Sequence, residues 1–253
     1  MDVAANTFVI TGAARGLGLA IAHSLAAQNA NVMLADRDED ALQEALSSMP
    51  ANTGKQSSLV ANVTDEADVE ALFDKAEAEL GPVSGLVNNA GILRDGMLVK
   101  VKEGEVVDRM SLATWQSVID VNLTGVFLCG REAAERMIVS GQSGVIINIS
   151  SISRAGNAGQ SNYAAAKAGV VALSTTWAKE LARYGIRSAS IAPGVFETEM
   201  VASMKPEAKA RFVGMIPAKR TGAVEELADA VNFIIKNDYY TGRVMELDGG
   251  LRV

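Results

Sequence analysis

Thr7-Phe8-Val9-Ile10-Thr11-Gly12-Ala13-Ala14-Arg15-Gly16-Leu17-Gly18 decides how the rest of the chain is read. An apolar run ends in three glycines, Gly12, Gly16 and Gly18, and a helical pattern over 17–28 follows at once. Glycines permit a tight turn and let backbone come close to a pyrophosphate. The next helix start supplies open N–H groups and partial positive charge. Plain strand–helix turns also favour glycine, so the loop needs context. The following apolar run, 31–36, ends in Asp36. A carboxylate there can accept hydrogen bonds from ribose hydroxyls and repel a 2′-phosphate, which favours NAD(H). Arg15 and Arg37 pull the other way, since either can reach a 2′-phosphate, and NADP(H) stays open as second choice.

Outward from this loop, apolar runs alternate with helical patterns. Strands are predicted over 7–11, 31–36, 57–63, 85–88, 145–150, 187–192 and 244–247, and helices over 17–28, 40–48, 66–80, 112–139, 162–184 and 224–235. Val145-Ile146-Ile147-Asn148-Ile149 lacks strict alternation, which suits a parallel strand covered on both faces. The pattern predicts an α/β fold: a single doubly wound Rossmann domain over 1–253, with a parallel, seven-stranded sheet and helices on both faces. Residues 98–108 break the rhythm by alternating apolar and charged side chains around Glu103-Gly104, and read as an inserted hairpin. It is either a surface decoration or subunit contact, or a flap over the site. Residues 199–217, with Met200, Met204, Phe212, Met215 and Ile216, read as a substrate lid; ordinary packing explains its methionines equally well.

Composition removes several function classes. The chain has 253 residues, a net charge of −7, one Cys and one His. The acidic balance argues against nucleic acid or an anionic membrane as partner. A lone Cys and a lone His exclude an internal disulfide and a Cys/His zinc cluster, and no metal site is expected. His23 has no G-x-S-x-G elbow for a hydrolase triad and reads as a solvated surface residue. Cys129 reads as a buried apolar residue, Trp115 and Trp177 as packing residues. The approach from Met1 to the apolar run at Phe8 leaves no room for a signal peptide, and no uninterrupted apolar stretch reaches spanning length. The expected address is cytoplasmic.

Tyr163 and Lys167 lie four residues apart, on one helix face. Such pairs are common by chance, but Asn148-Ile149-Ser150-Ser151 ends a strand twelve residues before Tyr163, and Asn88-Asn89-Ala90-Gly91 ends an earlier one. Together with Asn122, Pro193-Gly194 and Leu247-Asp248-Gly249-Gly250, these motifs closely resemble the short-chain dehydrogenase/reductase family over nearly the whole chain. Residues 156–163 are most similar to its 3-oxoacyl-acyl-carrier-protein reductase branch.

The resemblance implies a nicotinamide-dependent oxidoreductase interconverting a carbonyl and a secondary alcohol, with Asn122, Ser151, Tyr163 and Lys167 as catalytic residues. Tyr163 would be the general acid or base. Lys167 at roughly 4 Å, in an effective dielectric of about 20, would be worth about 4 kcal/mol and lower the phenol by ~3 pKa units. Ser151 would polarise the carbonyl, with Ser150 as a minor candidate, and Asn122 would hold a water that links Lys167 to solvent. Cofactor contacts would come from Gly12, Arg15, Gly16, Leu17, Gly18, Asp36, Arg37, Asn62, Val63, Asn89, Ala90, Gly91, Tyr163, Lys167, Pro193, Gly194, Val195 and Thr198. Asn62 stands where relatives carry Asp to meet the adenine amine and would offer its side-chain oxygen. Thr198 reads equally well as a helix cap.

The apolar helix over 162–184, joined by the one at 123–139, implies a homo-oligomer, a tetramer in this family. The favoured small-molecule substrate is a 3-oxoacyl or 3-hydroxyacyl thioester; a small alcohol, sugar or steroid-like ring is the alternative. A non-catalytic dinucleotide sensor is the rival from another class, and the complete set of four catalytic residues weighs against it. Arg131, Arg136, Arg183 and Arg187 offer a basic rim for an acidic carrier, diluted by Glu132, Glu135 and Glu180.

Overall fold

The computed structural model describes residues 1–51, 54–203 and 206–252. The first half runs β1 (Thr7–Thr11), α1 (Gly16–Ala26), β2 (Asn31–Asp36), α2 (Glu39–Ser48), β3 (Gln56–Val60), α3 (Glu66–Leu80) and β4 (Val83–Asn88). A two-stranded excursion follows, β5 (Val99–Lys102) and β6 (Glu105–Arg109). The chain continues through α4 (Leu112–Ile119), a π turn (Asp120–Thr124), α5 (Gly125–Val139), β7 (Gly144–Ile149), α6 (Ser161–Glu180) and β8 (Ile186–Pro193). It ends with α7 (Glu199–Ala202), α8 (Pro206–Met215), α9 (Val224–Lys236) and β9 (Val244–Leu247).

Seven strands form one sheet in the order β3-β2-β1-β4-β7-β8-β9, and every pairing is parallel. The chain steps outward from β1 to β3 and then returns to β1's other side as β4. The C-terminal ends of β1 and β4 are therefore a switch point, where open α/β sheets hold their ligands. Both faces are covered. Phe8, Ile10, Leu34, Val145 and Ile147 face a layer that includes Ile21, Leu25, Val231 and Ile234. Val9, Met33, Leu86 and Ile146 face the opposite layer, which includes Leu72, Phe73, Met137 and Trp177. Double burial is why β7 carries isoleucine on both faces.

The structure corrects several boundaries. The third strand stops at Val60, so Asn62 and Val63 lie in the connection beyond it. The helix expected over 112–139 contains the π turn around Asn122. Leu112–Val139 is long and apolar enough by composition to cross a membrane, although Asp120, Arg131, Glu132, Glu135 and Arg136 interrupt it. It is placed otherwise, with α5 packed on β4 and α3 and Arg136 paired with Asp74, Glu77 and Glu132. In the 199–217 segment, Phe212 and Met215 are exposed while Ile216 is buried. Met204 and the side chain of Met200 lie outside the described residues. Lys209 of α8 pairs with Glu197, which fastens this segment to the end of β8.

Candidate active site

The glycine loop is shaped by its neighbours before any ligand is considered. Gly12 has φ +64°, and a Cβ there would come within 2.8 Å of Ala90 Cα. At Gly18 a Cβ would strike the Gly12 carbonyl, so the loop closes only with glycine at both positions. Asn89 Nδ2 donates to the carbonyls of Thr11 (3.1 Å) and Gly12 (2.9 Å). Thr11 Oγ1 accepts from the N–H groups of Asn89 and Ala90, each at 3.1 Å. Asn89 thus holds the loop with its side chain, and Thr11 is a positioning residue the sequence reading passed over. Its signal was a hydroxyl immediately before the first glycine. Arg15, the residue preceding α1, makes no capping hydrogen bond with its side chain, and α1 has no acid in its first turn. Gly16 and Leu17 open the helix here, and an anion fits such a helix start.

Asp36 completes this half. Its Oδ2 accepts from Ala14 N–H at 3.2 Å, and its Oδ1 from the N–H groups of Arg37 (2.7 Å) and Asp38 (3.2 Å). Arg15 forms an ion pair with Asp38, and Arg37 is exposed. Asn62 departs from expectation. Its Oδ1 accepts from both the N–H and the hydroxyl of Thr64, at 3.3 and 3.0 Å, which holds the turn into α3. Val63 is a core residue against Gly125, where a Cβ would approach its Cγ2 to 2.7 Å.

Across the switch point, the ends of β4 and β7 form a buried polar floor. Asn88 Nδ2 donates to Asn148 Oδ1 (2.8 Å), and Asn148 Nδ2 donates to Ser174 Oγ of α6 (2.8 Å). Ser174 then meets Ser190 of β8 at 2.6 Å. Above this floor stand the candidate catalytic groups. Ser150 Oγ donates to the Lys167 carbonyl at 2.8 Å, so this serine is turned into the protein. Ser151 Oγ instead accepts from Ser153 N–H at 3.1 Å and lies near enough to the Tyr163 phenol to lower its pKa. Lys167 is fully buried, and its Nζ donates to the Ile149 carbonyl at 2.7 Å and lies 5.7 Å from the centre of the Tyr163 ring.

Electrostatics differ from the sequence expectation here. Burial raises the Tyr163 phenol above its ordinary value; Ser151 opposes this, and Asp95 adds to the rise. Burial brings Lys167 down to about 8. The ammonium is aimed at a carbonyl rather than the phenol oxygen, so the phenol is not pulled toward neutrality in this state. Its proton is retained at neutral pH, the condition an acid catalyst needs.

Asn122 lies in the π turn, with its side chain committed to one residue. Oδ1 accepts from Ile92 N–H (2.8 Å), and Nδ2 donates to the Ile92 carbonyl (2.9 Å). A Cβ at Gly91 would lie 3.3 Å from Asn122 Oδ1 and 3.7 Å from Lys167 Nζ, so glycine lets all three approach. At the end of β8, Gly194 N–H donates to the Leu247 carbonyl at 2.9 Å, directly after Pro193. Val195 packs against Ile152, Ile216 and Leu251. Thr198 precedes α7 without a side-chain cap, and its methyl faces Gly16, 3.6 Å from where a Cβ would stand. The β8 loop thereby reaches back over the glycine loop.

Other residues fall outside this constellation. His23 is half-buried, 3.0 Å from Ser48 Oγ, and lines a cleft of about 550 Å³ between α1, Thr198 and α9. Cys129 is buried, and burial pushes its thiol up to about 12, so it is inert at neutral pH. Trp177 packs on Gly130 within the chain. The expected basic rim is absent among these arginines. Arg131 pairs with Glu66, Arg136 is surrounded by acids, and Arg187 donates to the carbonyls of Ile234, Ile235 and Tyr240. Arg183 lies over the ring of Tyr184.

The sequence pattern of the family described as short chain dehydrogenase matches residues 6–209. A "3-oxoacyl-[acyl-carrier-protein] reductase FabG" of Escherichia coli (strain K12) is 38% identical over 254 residues, covering 99% of each chain. A protein of that name from Thermotoga maritima is also 38% identical over 99% of each chain. A "(3R)-3-hydroxyacyl-CoA dehydrogenase" of Canis lupus familiaris is 38% identical over 96% of this chain and 95% of its own. With the parallel sheet, the switch-point glycine loop and Tyr163 beside a buried Lys167 already in place, this similarity along nearly the full length means that the chain belongs to the short-chain dehydrogenase family and is a nicotinamide-dependent oxidoreductase.

Proposed function

We propose that the protein interconverts a 3-oxoacyl thioester and its 3-hydroxy form, using NAD(H), with Tyr163 as the proton donor. The observation that carries this is the grouping of Ser151, which lowers the Tyr163 phenol, with the buried Lys167 whose Nζ lies 5.7 Å from the centre of the Tyr163 ring, in a chain alike over nearly its whole length to acyl-thioester enzymes. The dinucleotide supplies or accepts the hydride at the substrate carbon. Its pyrophosphate suits Gly12, Arg15, Gly16, Leu17 and Gly18, and its ribose suits Asp36. Its adenosine side suits the backbone of Asn89, Ala90 and Gly91, and its nicotinamide half suits Lys167, Pro193, Gly194, Val195 and Thr198.

In reduction, the substrate oxygen accepts hydrogen bonds from Ser151 and Tyr163. As the carbon gains its hydride, the C=O π pair moves onto oxygen and takes the phenolic proton of Tyr163, which gives the alcohol and a phenolate. Lys167, an ammonium below about pH 8 with its Nζ 5.7 Å from the ring centre, offsets the charge of that phenolate, which regains its proton from solvent. Asn122 keeps Gly91 and Lys167 in register through Ile92. Any water that it passes to Lys167 is held by its main chain, because its amide is engaged. Ser151 supplies an oriented hydroxyl where negative charge develops. The 199–217 segment closes over the substrate.

The preference for NAD(H) rests on charge. A 2′-phosphate at the end of β2 would meet the carboxylates of Asp36 and Asp38, and Arg15 is already matched by Asp38. Assembly into a tetramer rests on α5 and α6, where Phe127, Val139, Ala165, Ala168 and Ala172 are exposed and apolar. Steady-state reduction of acetoacetyl-CoA and a longer 3-oxoacyl-CoA, with NADH and with NADPH, tests both readings. The expected result is turnover of the thioesters with the higher kcat/KM for NADH. A preference for NADPH overturns the Asp36 argument, and no turnover with either overturns the acyl assignment.

A further inference from the structure

The β5–β6 hairpin has a sidedness that no packing among the described residues uses. Val101 pairs with Val106 and Val99 with Arg109, which puts three valines on one face with Arg109 at its edge. Lys100 pairs with Asp108 and Lys102 with Glu105, which puts matched charges on the other. Every residue of both strands is exposed, with Val101 at 59% and Val106 at 63%. A lone two-stranded ribbon has little stability of its own, and an apolar face this open marks a binding surface.

Its root says what that surface serves. Gly96 N–H donates to the Gly159 carbonyl at 2.8 Å, and Met97 Sδ is 4.0 Å from where a Gly159 Cβ would stand. Gln160 Nε2 reaches both oxygens of Asp95, and Asn162 Nδ2 donates to the Arg94 carbonyl at 3.0 Å. Gly159, Gln160 and Asn162 lead directly into Tyr163. The hairpin is thus bonded to the segment that delivers the proton donor, and Met97 and Leu98, 55% and 67% exposed, stand between that segment and the valine face.

We propose that Met97, Leu98 and the valine face of the hairpin form a wall that receives the apolar tail of the substrate beyond its reacting carbonyl, so that the hairpin sets chain-length preference. This rests on the acyl reading above. Matched charge on the opposite face keeps that side in water, whereas an unbranched Met at the root adapts to a flexible chain.

The test replaces residues 99–109 with a Gly-Ser turn and, separately, makes the double variant V101S/V106S. For each, kcat/KM is measured on C4 and C10 3-oxoacyl-CoA, with the dinucleotide KM and the light-scattering mass alongside. The expected result is at least a tenfold drop for C10 and less than a twofold change for C4, at constant dinucleotide KM and mass. Equal losses on both lengths, an unchanged C10/C4 ratio, or a change of mass that accompanies the loss overturns the proposal; the last makes a second copy the occupant. Failure of the unmodified protein on both lengths defeats the acyl reading itself, and is thereby distinguished from failure of the hairpin's role.

Discussion

The floor of the site and the β5–β6 hairpin reverse each other's chemistry. At the ends of β4 and β7, polar side chains are buried and matched: Asn88 to Asn148, Asn148 to Ser174, Ser174 to Ser190. Some fifteen residues beyond β4, the valines of the hairpin stand about half or more exposed to solvent. Burial of polar groups is stable only when each finds its partner, so the floor resists change. Exposure of apolar groups leaves room for a ligand to supply the missing contact. The lesson is a division of labour: a rigid, satisfied floor aims Tyr163 and Lys167, while an unsatisfied rim is left for recognition. Among the described residues, Ser188 Oγ is the one buried polar side-chain atom without a partner, and it lies in β8, outside the floor.

The sharpest break is Tyr163→Phe. It removes the proposed proton donor and leaves the floor intact, so kcat should fall by about 10²–10⁴-fold with little change in dinucleotide affinity or unfolding midpoint. Stopped-flow turnover and fluorescence titration of NADH check it.

Lys167 gives the next largest effect, and its sign follows from its shift. Its folded value, about 8, lies below the unfolded value of about 10.4. Between the two, the unfolded chain binds more protons, so this group's contribution makes the protein more stable as pH rises across that window. Below about 8 the cost of burying the charge is fully present. The amount is on the order of 3 kcal/mol. Urea unfolding of Lys167→Met against the unmodified chain should therefore show the variant losing ground steadily from pH 8 to 10. The raised Tyr163 predicts that reduction holds across neutral pH and declines at alkaline pH, whereas oxidation, which needs the deprotonated phenol, rises with pH.

Asn148→Leu keeps volume but takes a partner from Asn88 and from Ser174. A cost of about 1–3 kcal/mol is expected from chemical denaturation, with kcat reduced as the ends of β4 and β7 part. Smallest is Val101→Ala on the hairpin, where stability should move by less than about 0.5 kcal/mol because the side chain touches little. If Val101→Ala destabilised the monomer as much as Asn148→Leu, the contrast between floor and rim would fail.

Much of this was legible in the sequence because it depends on local pattern. The runs ending at Thr11 and Asp36 became β1 and β2 with their expected limits, and Glu66–Leu80 became α3 with Asp65 capping it. The misses arose where a side chain has two available partners. Asn62 was read toward adenine, but Thr64, two residues on, occupies its oxygen. Asn89 has, besides the backbone role expected of it, an amide that ties down the glycine loop. Lys167 was read toward the phenol, yet the Ile149 carbonyl on the neighbouring strand end takes its ammonium.

The chain by itself determined the alternation of strands and helices, the loop that requires glycine at 12 and 18, and the four-residue spacing of Tyr163 and Lys167, because periodicity and backbone conformation act over a few residues. Tertiary structure alone decided that Ser150 turns to the Lys167 carbonyl while Ser151 lies near enough to lower the Tyr163 phenol, and that the hairpin is rooted on the segment before Tyr163. It also decided that burial raises one catalytic group and lowers the other. Each of these depends on which surfaces exclude water and which distant strand end supplies a partner, and neither is written in the order of neighbouring residues.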